Sequence, residues 1–195
     1  DLEIDIENPD EGDSFEPGDA INIKAAVHNV GNDNIRTQVE ALLFSDKSEI
    51  TNAASNVKDI GDDDEEEFTL SLRVPFDSRK IKKNDDFKLF VKAFDNDHEQ
   101  INCVISSVKV GIELPSHKVI VDKANTKFLP PVASCGDTIM MNAHVINIGD
   151  KSNDAVSLSL SNPELKVDKR SDVFGLDSFT SHEHNDETRQ FTITV

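Results

Sequence analysis

The sequence predicts an all-β protein built from two antiparallel β-sandwich domains in tandem. Three observations support this fold class: the length, a strand pattern that occurs twice, and the lack of any convincing helical periodicity. The 195 residues leave room for two sandwich domains of about 100 residues each. Apolar and polar residues alternate in short segments, and turn-forming residues separate these segments at the intervals that a sandwich requires.

The repeated pattern lies in residues 18–31 and 136–149, which align without a gap and are identical at seven positions. In each copy a Gly-Asp pair predicts a tight turn, with glycine supplying a positive φ. A strand with apolar residues at every second position follows, and an Asn-x-Gly sequence closes it. The inward residues are expected to be Ile21, Ile23, Ala25 and Val27 in the first copy and Ile139, Met141, Ala143 and Val145 in the second.

A second pair of similar segments supports two homologous domains rather than a short-period repeat. Residues 63–72 and 186–195 each join a polar loop to an alternating strand, with Phe68 matched to Phe191. We expect domain 1 at 1–112 and domain 2, shorter or truncated, at 113–195. Further strands are predicted at 2–6, 39–44, 87–94, 101–110, 118–121 and 155–160.

The segment 36–43 is the best helix candidate, yet it fits a strand with Val39, Ala41 and Leu43 directed inward. With turns recurring every 8 to 15 residues, the strands are typical of immunoglobulin-like antiparallel sandwiches. Both domains are therefore expected to be immunoglobulin-like.

The formal net charge of −18 argues against binding of nucleic acid or of an anionic membrane surface. No run of about 20 apolar residues predicts a transmembrane helix, so membrane attachment is expected only through segments outside this sequence. The motifs of hydrolases, phosphate-binding loops, dinucleotide sites and zinc proteases are absent. We therefore expect neither an enzyme nor a small-molecule substrate.

The segment Val-Lys-Ala-Phe-Asp-Asn-Asp-His-Glu-Gln-Ile-Asn-Cys at 91–103, together with Gly18-Asp19 and Asn29-Val30-Gly31, resembles the CARDB-type adhesion domain of prokaryotic surface proteins. A Cys near the end of copy one and a Cys-Gly pair opening copy two are similar to archaeal S-layer-type surface proteins. The resemblance implies an extracellular spacer, array-forming or adhesive role at the cell surface, with other copies of the chain or surface proteins as partners.

Two alternatives to this role stay open. One is a module whose loops bind a protein or a glycan, which a cluster of exposed Phe residues, such as Phe44 with Phe87 or Phe94, would favour. The other is an accessory domain of a larger secreted enzyme. A fold resemblance does not decide among these functions.

A calcium site is one interpretation of Asp95, Asp97 and Glu99, which alternate along a short acidic stretch. Calcium takes six to eight oxygen ligands, and acidic hairpins between sandwich strands supply them. The other interpretation is a solvated hairpin, and the six acids at 62–67 are likewise expected to form a solvated loop. The histidines offer no clear metal site: His182 and His184 are expected in a loop, and His28 and His144 at plain surface or edge positions.

The cysteines Cys103 and Cys135 leave two alternatives open. An even count in an extracellular protein suggests a disulfide, and the resemblance to archaeal surface proteins favours pairing. A disulfide needs Cα atoms within about 7 Å of each other. In an end-to-end tandem the two cysteines are expected far apart, which favours two separate thiols, buried or bound to a partner.

Overall fold

The computed structural model describes residues 1–46, 48–82, 84–99, 102–181 and 183–195. These residues form β-strands joined by loops and one 3₁₀ turn, Phe179–Ser181, and contain no α-helix. No helix in these ranges has the length and apolarity that crossing a membrane requires. The chain divides into two compact units, Asp1–Glu113 (unit 1) and Leu114–Val195 (unit 2). The prediction of an all-β protein is confirmed.

Unit 1 is a sandwich of two sheets. Its strands, within the described residues, are β1 (Leu2–Asn8), β2 (Ser14–Phe15), β3 (Ala20–Asn29), β4 (Ile35–Ser45), β5 (Ser48–Ala54), β6 (Lys58–Ile60), β7 (Glu65–Arg73), β8 (Phe87–Asp95) and β9 (Cys103–Ile112). One sheet has the order β1-β3-β7, and the other has the order β2-β9-β8-β4-β5, with β6 also paired to β4. Every pair is antiparallel except β2 with β9, which is parallel. This arrangement is that of an immunoglobulin-like sandwich.

The core of unit 1 lies between the two sheets, where the alternating apolar residues of β3, β4 and β8 meet. The predicted inward residues of β3 are all buried, with exposures of 0–2%. Residues 36–43 belong to a strand, as predicted, and Val39, Ala41 and Leu43 are each 0% exposed. The core residues follow the period of two that a half-buried strand imposes.

The strands β2, β5 and β6 of unit 1 were not predicted, because they are short or carry mostly polar residues. The expectation of a solvated loop for the whole acidic run 62–67 is wrong, since β7 begins at Glu65. Glu66 and Glu67 are held there by lysines: Lys58 Nζ lies 3.1 Å from Glu66, and Lys24 Nζ lies 2.7 Å from Glu67. The predicted Ile101 lies outside the described residues.

Unit 2 repeats part of this plan. Its strands, again within the described residues, are β10 (Val119–Leu129), β11 (Thr138–Asn147), β12 (Asn153–Val156), β13 (Ser159–Asn162), β14 (Val167–Arg170), β15 (Phe174–Leu176) and β16 (Asp186–Thr194). The sheet β10-β11-β16 matches β1-β3-β7 of unit 1. The strand predicted at 155–160 is in fact two short strands: β12 pairs with β15, and β13 pairs with β14.

The two units also share their Gly-Asp turns. Gly18 and Gly136 have φ values of 93° and 92°, so the predicted positive φ is confirmed. In each turn the carboxylate of the following aspartate accepts a backbone N–H from three residues earlier, at 2.8 Å for Asp19 and 2.7 Å for Asp137. Each glycine then donates its N–H to the end of the adjacent strand, at Val74 O and Val195 O.

The strand register corrects the alignment of the second pair of similar segments, 63–72 and 186–195. Ala25 pairs with Phe68, whereas the matching Ala143 pairs with Arg189. Phe191 therefore occupies the position of Leu70 rather than that of Phe68. The turn glycines support this alignment, because Gly18 bonds Val74 O and Gly136 bonds Val195 O, which makes Val74 and Val195 equivalent. Sequence similarity had placed the two phenylalanines together because both strands alternate, and a shift of two residues preserves an alternating pattern.

Candidate functional site

The acidic hairpin between β8 and β9 holds the three carboxylates predicted as calcium ligands. Asp95 ends β8 and is 6% exposed. Its Oδ1 accepts the N–H of Asp97 at 2.9 Å, and its Oδ2 lies 3.5 Å from Nδ2 of Asn102 and 3.4 Å from Nδ1 of His98. Asp95 therefore fixes the fold of its own hairpin.

The other two carboxylates of this hairpin have different partners. Asp97 accepts from Nη1 of Arg36 at 3.1 and 3.3 Å. Glu99 forms an ion pair with Nζ of Lys92, and this hydrogen bond raises the pKa of Lys92. The structure does not bring Asp95, Asp97 and Glu99 together as one ligand set. Across the described ranges, no three His, Cys, Asp or Glu side chains are arranged to hold a metal ion.

The electrostatics of Asp95 follow from competing effects. Burial acts to raise the pKa of this carboxyl, but the N–H of Asp97 and the side chains of Asn102 and His98 favour the charged form more strongly. The net result is a pKa below the usual range. A carboxylate satisfied by protein donors in this way stabilises a turn.

A second buried aspartate, Asp122 in β10, was not singled out from the sequence. It is 3% exposed, and its Oδ1 accepts the N–H of Ala124 at 3.0 Å while Oδ2 accepts from Asn125 at 2.6 Å. Burial acts to raise the pKa of Asp122, yet these hydrogen bonds and the nearby His144 lower it overall. A bulge in the pairing of β10 with β11 lies at this position, and a bulge is not visible in an alternating pattern.

His28 and His144 each lie close to an aspartate carboxylate. His144 Nε2 is 2.8 Å from Asp186 Oδ2, and its Nδ1 is 3.5 Å from Asp122 Oδ2. His28 Nε2 is 3.3 Å from the exposed Asp63. His184 lies in the loop before β16, and His182 lies outside the described residues.

The cysteines are both free and both exposed. Cys103 begins β9 in unit 1, and Cys135 precedes the Gly136 turn of unit 2. Burial, one of the two environments expected for separate thiols, is therefore wrong for both side chains.

The exposed phenylalanine cluster expected from the sequence, Phe44 with Phe87 or Phe94, is not the one in the structure. Phe87 and Phe94 are buried, with exposures of 2% and 6%, so neither extends the exposed surface around Phe44. Phe44 instead contacts Phe90 edge-on, with ring centroids 5.8 Å apart. On β8, Phe90 lies two residues from both Lys88 and Lys92. The period of two in a strand therefore places Phe90 on the outward face with these lysines.

The outer face of the β9-β8-β4-β5 sheet thus carries a small apolar patch. Leu42 pairs with Phe90 across the strands, and Ile105, 60% exposed, pairs with Lys92 next to it. We call the set of Leu42, Phe44, Phe90 and Ile105 the outer-face patch. Rigid aromatic and aliphatic groups on an exposed sheet face are the kind of surface that contacts other proteins.

The parallel pairing of β2 with β9 ties the N-terminal part of unit 1 to its last strand. Ser14 pairs with Gly111 and Phe15 pairs with Ile112. Three backbone hydrogen bonds support this pairing: Gly12 N to Lys109 O at 2.8 Å, Gly111 N to Asp13 O at 2.7 Å, and Glu113 N to Phe15 O at 2.8 Å. The strands run in the same direction, so separating the two ends of unit 1 along them strains these bonds together.

Comparison with known proteins gave structural likenesses only. No protein-family model and no curated protein sequence matched the chain. Red sea bream transglutaminase is 9% identical, with a TM-score of 0.42, over 99% of this chain and 27% of that one. A β-glucosidase from Listeria innocua is 10% identical, with a TM-score of 0.36, over 57% of this chain and 16% of that one.

A CARDB domain of a Pyrococcus furiosus protein, solved in complex with di-metal ions, is 15% identical. The similarity covers 58% of this chain and 94% of that domain, with a TM-score of 0.35. The present chain spans about a quarter of the transglutaminase and less of the β-glucosidase. All three TM-scores lie below 0.5, so we draw no functional conclusion from these likenesses.

Proposed function

We propose that the chain is a structural or adhesive segment of an extracellular, surface-layer-type protein, in which it acts as a spacer or array-forming module. The observation that carries this proposal is the parallel pairing of β2 with β9 in unit 1. A spacer at a cell surface is stretched between its attachment and its contacts. Its first and last segments should therefore resist being pulled apart.

The hydrogen bonds between β2 and β9 supply such resistance. Because the strands are parallel, a force that pulls the ends of unit 1 apart acts along the strands and across the N–H···O bonds. All of these bonds must then break at nearly the same extension. An antiparallel hairpin pulled from its open end, in contrast, opens one bond pair at a time.

The charge of the chain agrees with a place at a crowded surface. A net charge of −18 keeps neighbouring copies soluble and disfavours nucleic acid as a partner. The partners we propose are other copies of the chain or other surface proteins, with no small-molecule substrate. Attachment to a membrane would come through segments outside residues 1–195.

Single-molecule force spectroscopy of the whole chain tests the spacer proposal. Glu113→Pro removes the N–H that bonds Phe15 O at 2.8 Å, and the control Glu113→Ala keeps this donor. We expect the proline variant to lower the unfolding force of unit 1, because forced unfolding follows the unfolding barrier, and the alanine variant to leave it unchanged. Equal forces for all three chains would contradict the proposal, as would labelling of the native protein inside intact cells rather than on their surface.

A protein-binding module is the second candidate function, and the outer-face patch favours it. Ile105 is 60% exposed at the edge of this patch. Ile105→Lys should abolish the capture of a surface-protein partner without changing the melting temperature. Val30→Lys, at a residue that is 42% exposed and outside the patch, should leave capture intact.

A further inference from the structure

Among the described residues of unit 2, the strands β12 and β13 each have one unpaired edge. In unit 1, β4 is paired on one side by β5 and β6 and on the other side by β8. In unit 2, β12 and β13 are paired by β15 and β14, and none of the described residues in 114–195 pairs with their other side. A strand edge of this kind presents a row of backbone groups that can add another strand.

Hydrogen bonds within unit 2 identify the groups at this edge. Leu158 accepts the N–H of Ser171 at 2.9 Å and donates its own N–H to Ser171 Oγ at 2.9 Å. The backbone of Leu158 therefore faces the side of β14. Backbone groups of successive residues in a strand alternate in direction, so Ser159 and Ser161 direct their N–H and C=O groups to the open edge.

The interior beside this edge is only partly covered. In unit 1, Ile21 and Ile23 are 0% and 2% exposed. The residues at the same positions of unit 2, Ile139 and Met141, are only half-buried. The difference coincides with β8, whose inward residues fill the interior of unit 1 and have no counterpart among the described residues of unit 2. They are Phe87, Leu89, Val91 and Ala93, with exposures of 0–2%.

A buried polar atom in unit 2 also lacks a partner. Arg189 occupies the inward position that Phe68 has in unit 1, and its guanidinium lies 4.1 Å from the ring centroid of Phe174. Its Nη2 pairs with Glu187 at 2.9 Å, but its buried Nε donates to nothing among the described residues. A buried donor of this kind is costly unless an acceptor approaches it.

We propose that the open edge of β12 and β13 binds an antiparallel strand with large apolar side chains at alternate positions. The backbone of this strand pairs with Ser159 and Ser161, and its apolar side chains cover Ile139 and Met141. The pattern required is that of β8, Phe-Lys-Leu-Phe-Val-Lys-Ala at 87–93. The inference rests on the geometry of unit 2 and is independent of the proposed spacer role.

The strand is supplied by a polypeptide segment outside residues 1–195. A second copy of this chain cannot donate its own β8 without unfolding unit 1, since Leu89 and Val91 are 0% exposed there. The strands β3 and β4, which also bury several apolar residues, are likewise paired on both sides in unit 1. An added segment with the β8 pattern meets both requirements of the site, for edge hydrogen bonds and for apolar cover.

A peptide-binding titration on the whole chain tests this proposal. The probe is a fluorescent peptide of residues 86–95, Asp-Phe-Lys-Leu-Phe-Val-Lys-Ala-Phe-Asp. The control peptide has the same length and charge, with the inward residues changed by F87S, L89S and V91S. We expect saturable binding of the first peptide and binding at least about tenfold weaker for the second.

Two further measurements locate the binding. Hydrogen exchange at Ser159 and Ser161 should slow when the peptide binds. The amides of β5, an edge strand whose Ile50 is already buried, should exchange at an unchanged rate. Ser159→Pro removes one edge N–H without touching the β13–β14 bonds of Leu158, and it should weaken binding by about tenfold, while Ser159→Ala should bind normally.

Three outcomes would overturn the proposal. Equal binding of the two peptides would mean that alternating apolar residues are not recognised. Unchanged affinity in Ser159→Pro, with slowed exchange elsewhere, would place the peptide at another surface. Slowed exchange at Ser159 that depends only on protein concentration would make a second copy the occupant of this edge.

Discussion

Asn29 and Asn147 make the same hydrogen bonds in the two units. Each is 0% exposed at the end of a central strand. The side-chain nitrogen of Asn29 donates to Asp33 O at 2.8 Å and Gly61 O at 2.9 Å, while its oxygen accepts from Gly31 N at 3.0 Å. Asn147 repeats this pattern at nearly the same lengths, with Lys151, Asp177 and Gly149 as its partners.

Replacing either asparagine by alanine should therefore destabilise its own unit strongly. Asn29→Ala removes the donor to the buried carbonyl of Ile60 and to the part-buried carbonyls of Asp33 and Gly61, and the acceptor for the N–H of Gly31. We expect a loss of about 2–4 kcal/mol in the free energy of unfolding. Urea unfolding, with hydrogen exchange of β3 and β11 to separate the units, measures this loss. Asn147→Ala should weaken β11, and the exposed Asn22→Ala should change little. Equal effects of Asn22→Ala and Asn29→Ala would contradict this account.

The glycines of the two Gly-Asp turns should differ in their tolerance of a side chain. Gly18→Ala and Gly136→Ala both place alanine at a φ near 90°, and we expect about 1 kcal/mol of strain from this alone. A Cβ at Gly18 would also collide with the ring of Phe76, whereas nothing lies within 4 Å of one at Gly136. Gly18→Ala should thus cost at least about 1 kcal/mol more. Urea midpoints of the two variants that coincide would refute the role of Phe76.

The sequence predicted those strands whose apolar residues alternate and the turns that need a particular residue. It could not distinguish two reasons for a glycine. Gly31 and Gly149 end the two Asn-x-Gly sequences, yet neither has a positive φ. They are small because a Cβ at Gly149 would lie 2.9 Å from the backbone nitrogen of Lys118, and one at Gly31 would lie 3.1 Å from the backbone nitrogen of Asp1. Close approach between distant segments is a property of the folded chain.

The candidate site was harder to predict than the fold for a similar reason. The spacing of Asp95, Asp97 and Glu99 suggested that their carboxylates share one site. The direction of each carboxylate, however, depends on partners that the local sequence does not contain. Arg36, 61 residues away, holds Asp97. Short polar strands such as β5 escape prediction because their register is set by the neighbouring strand.

Acid should destabilise unit 2 through Asp122. Its folded pKa lies below the usual value, so its stabilisation is complete above the unfolded pKa of about 3.9 and is lost as the pH falls through the folded pKa. Asp122→Asn can keep the contacts with Ala124 and Asn125 by rotation of the Asn125 amide. This variant should show a smaller fall in unfolding free energy between pH 5 and about pH 2 than the wild type. The exposed control Asp154→Asn should follow the wild type, and identical slopes for all three would exclude Asp122 as the source.

Calcium should leave the melting temperature unchanged. Asp97 is held by Arg36, Glu99 by Lys92, and Asp95 by its own hairpin, so a metal ion would have to displace three sets of partners. Ligand binding to the native state raises its stability, and melts in excess calcium and in EDTA compare the two conditions directly. A rise of many degrees, removed by Asp95→Asn, would show that the hairpin rearranges to bind the ion.

Thiol titration should find two reactive cysteines in the folded chain. Cys103 and Cys135 are free and exposed, so a thiol reagent should modify both without denaturant, at rates set by access and thiolate content. Cys103→Ser and Cys135→Ser should each leave one reactive group, which assigns the two thiols independently. No titratable thiol before reduction and two after it would instead demonstrate a Cys103–Cys135 disulfide, provided that the chain remains monomeric.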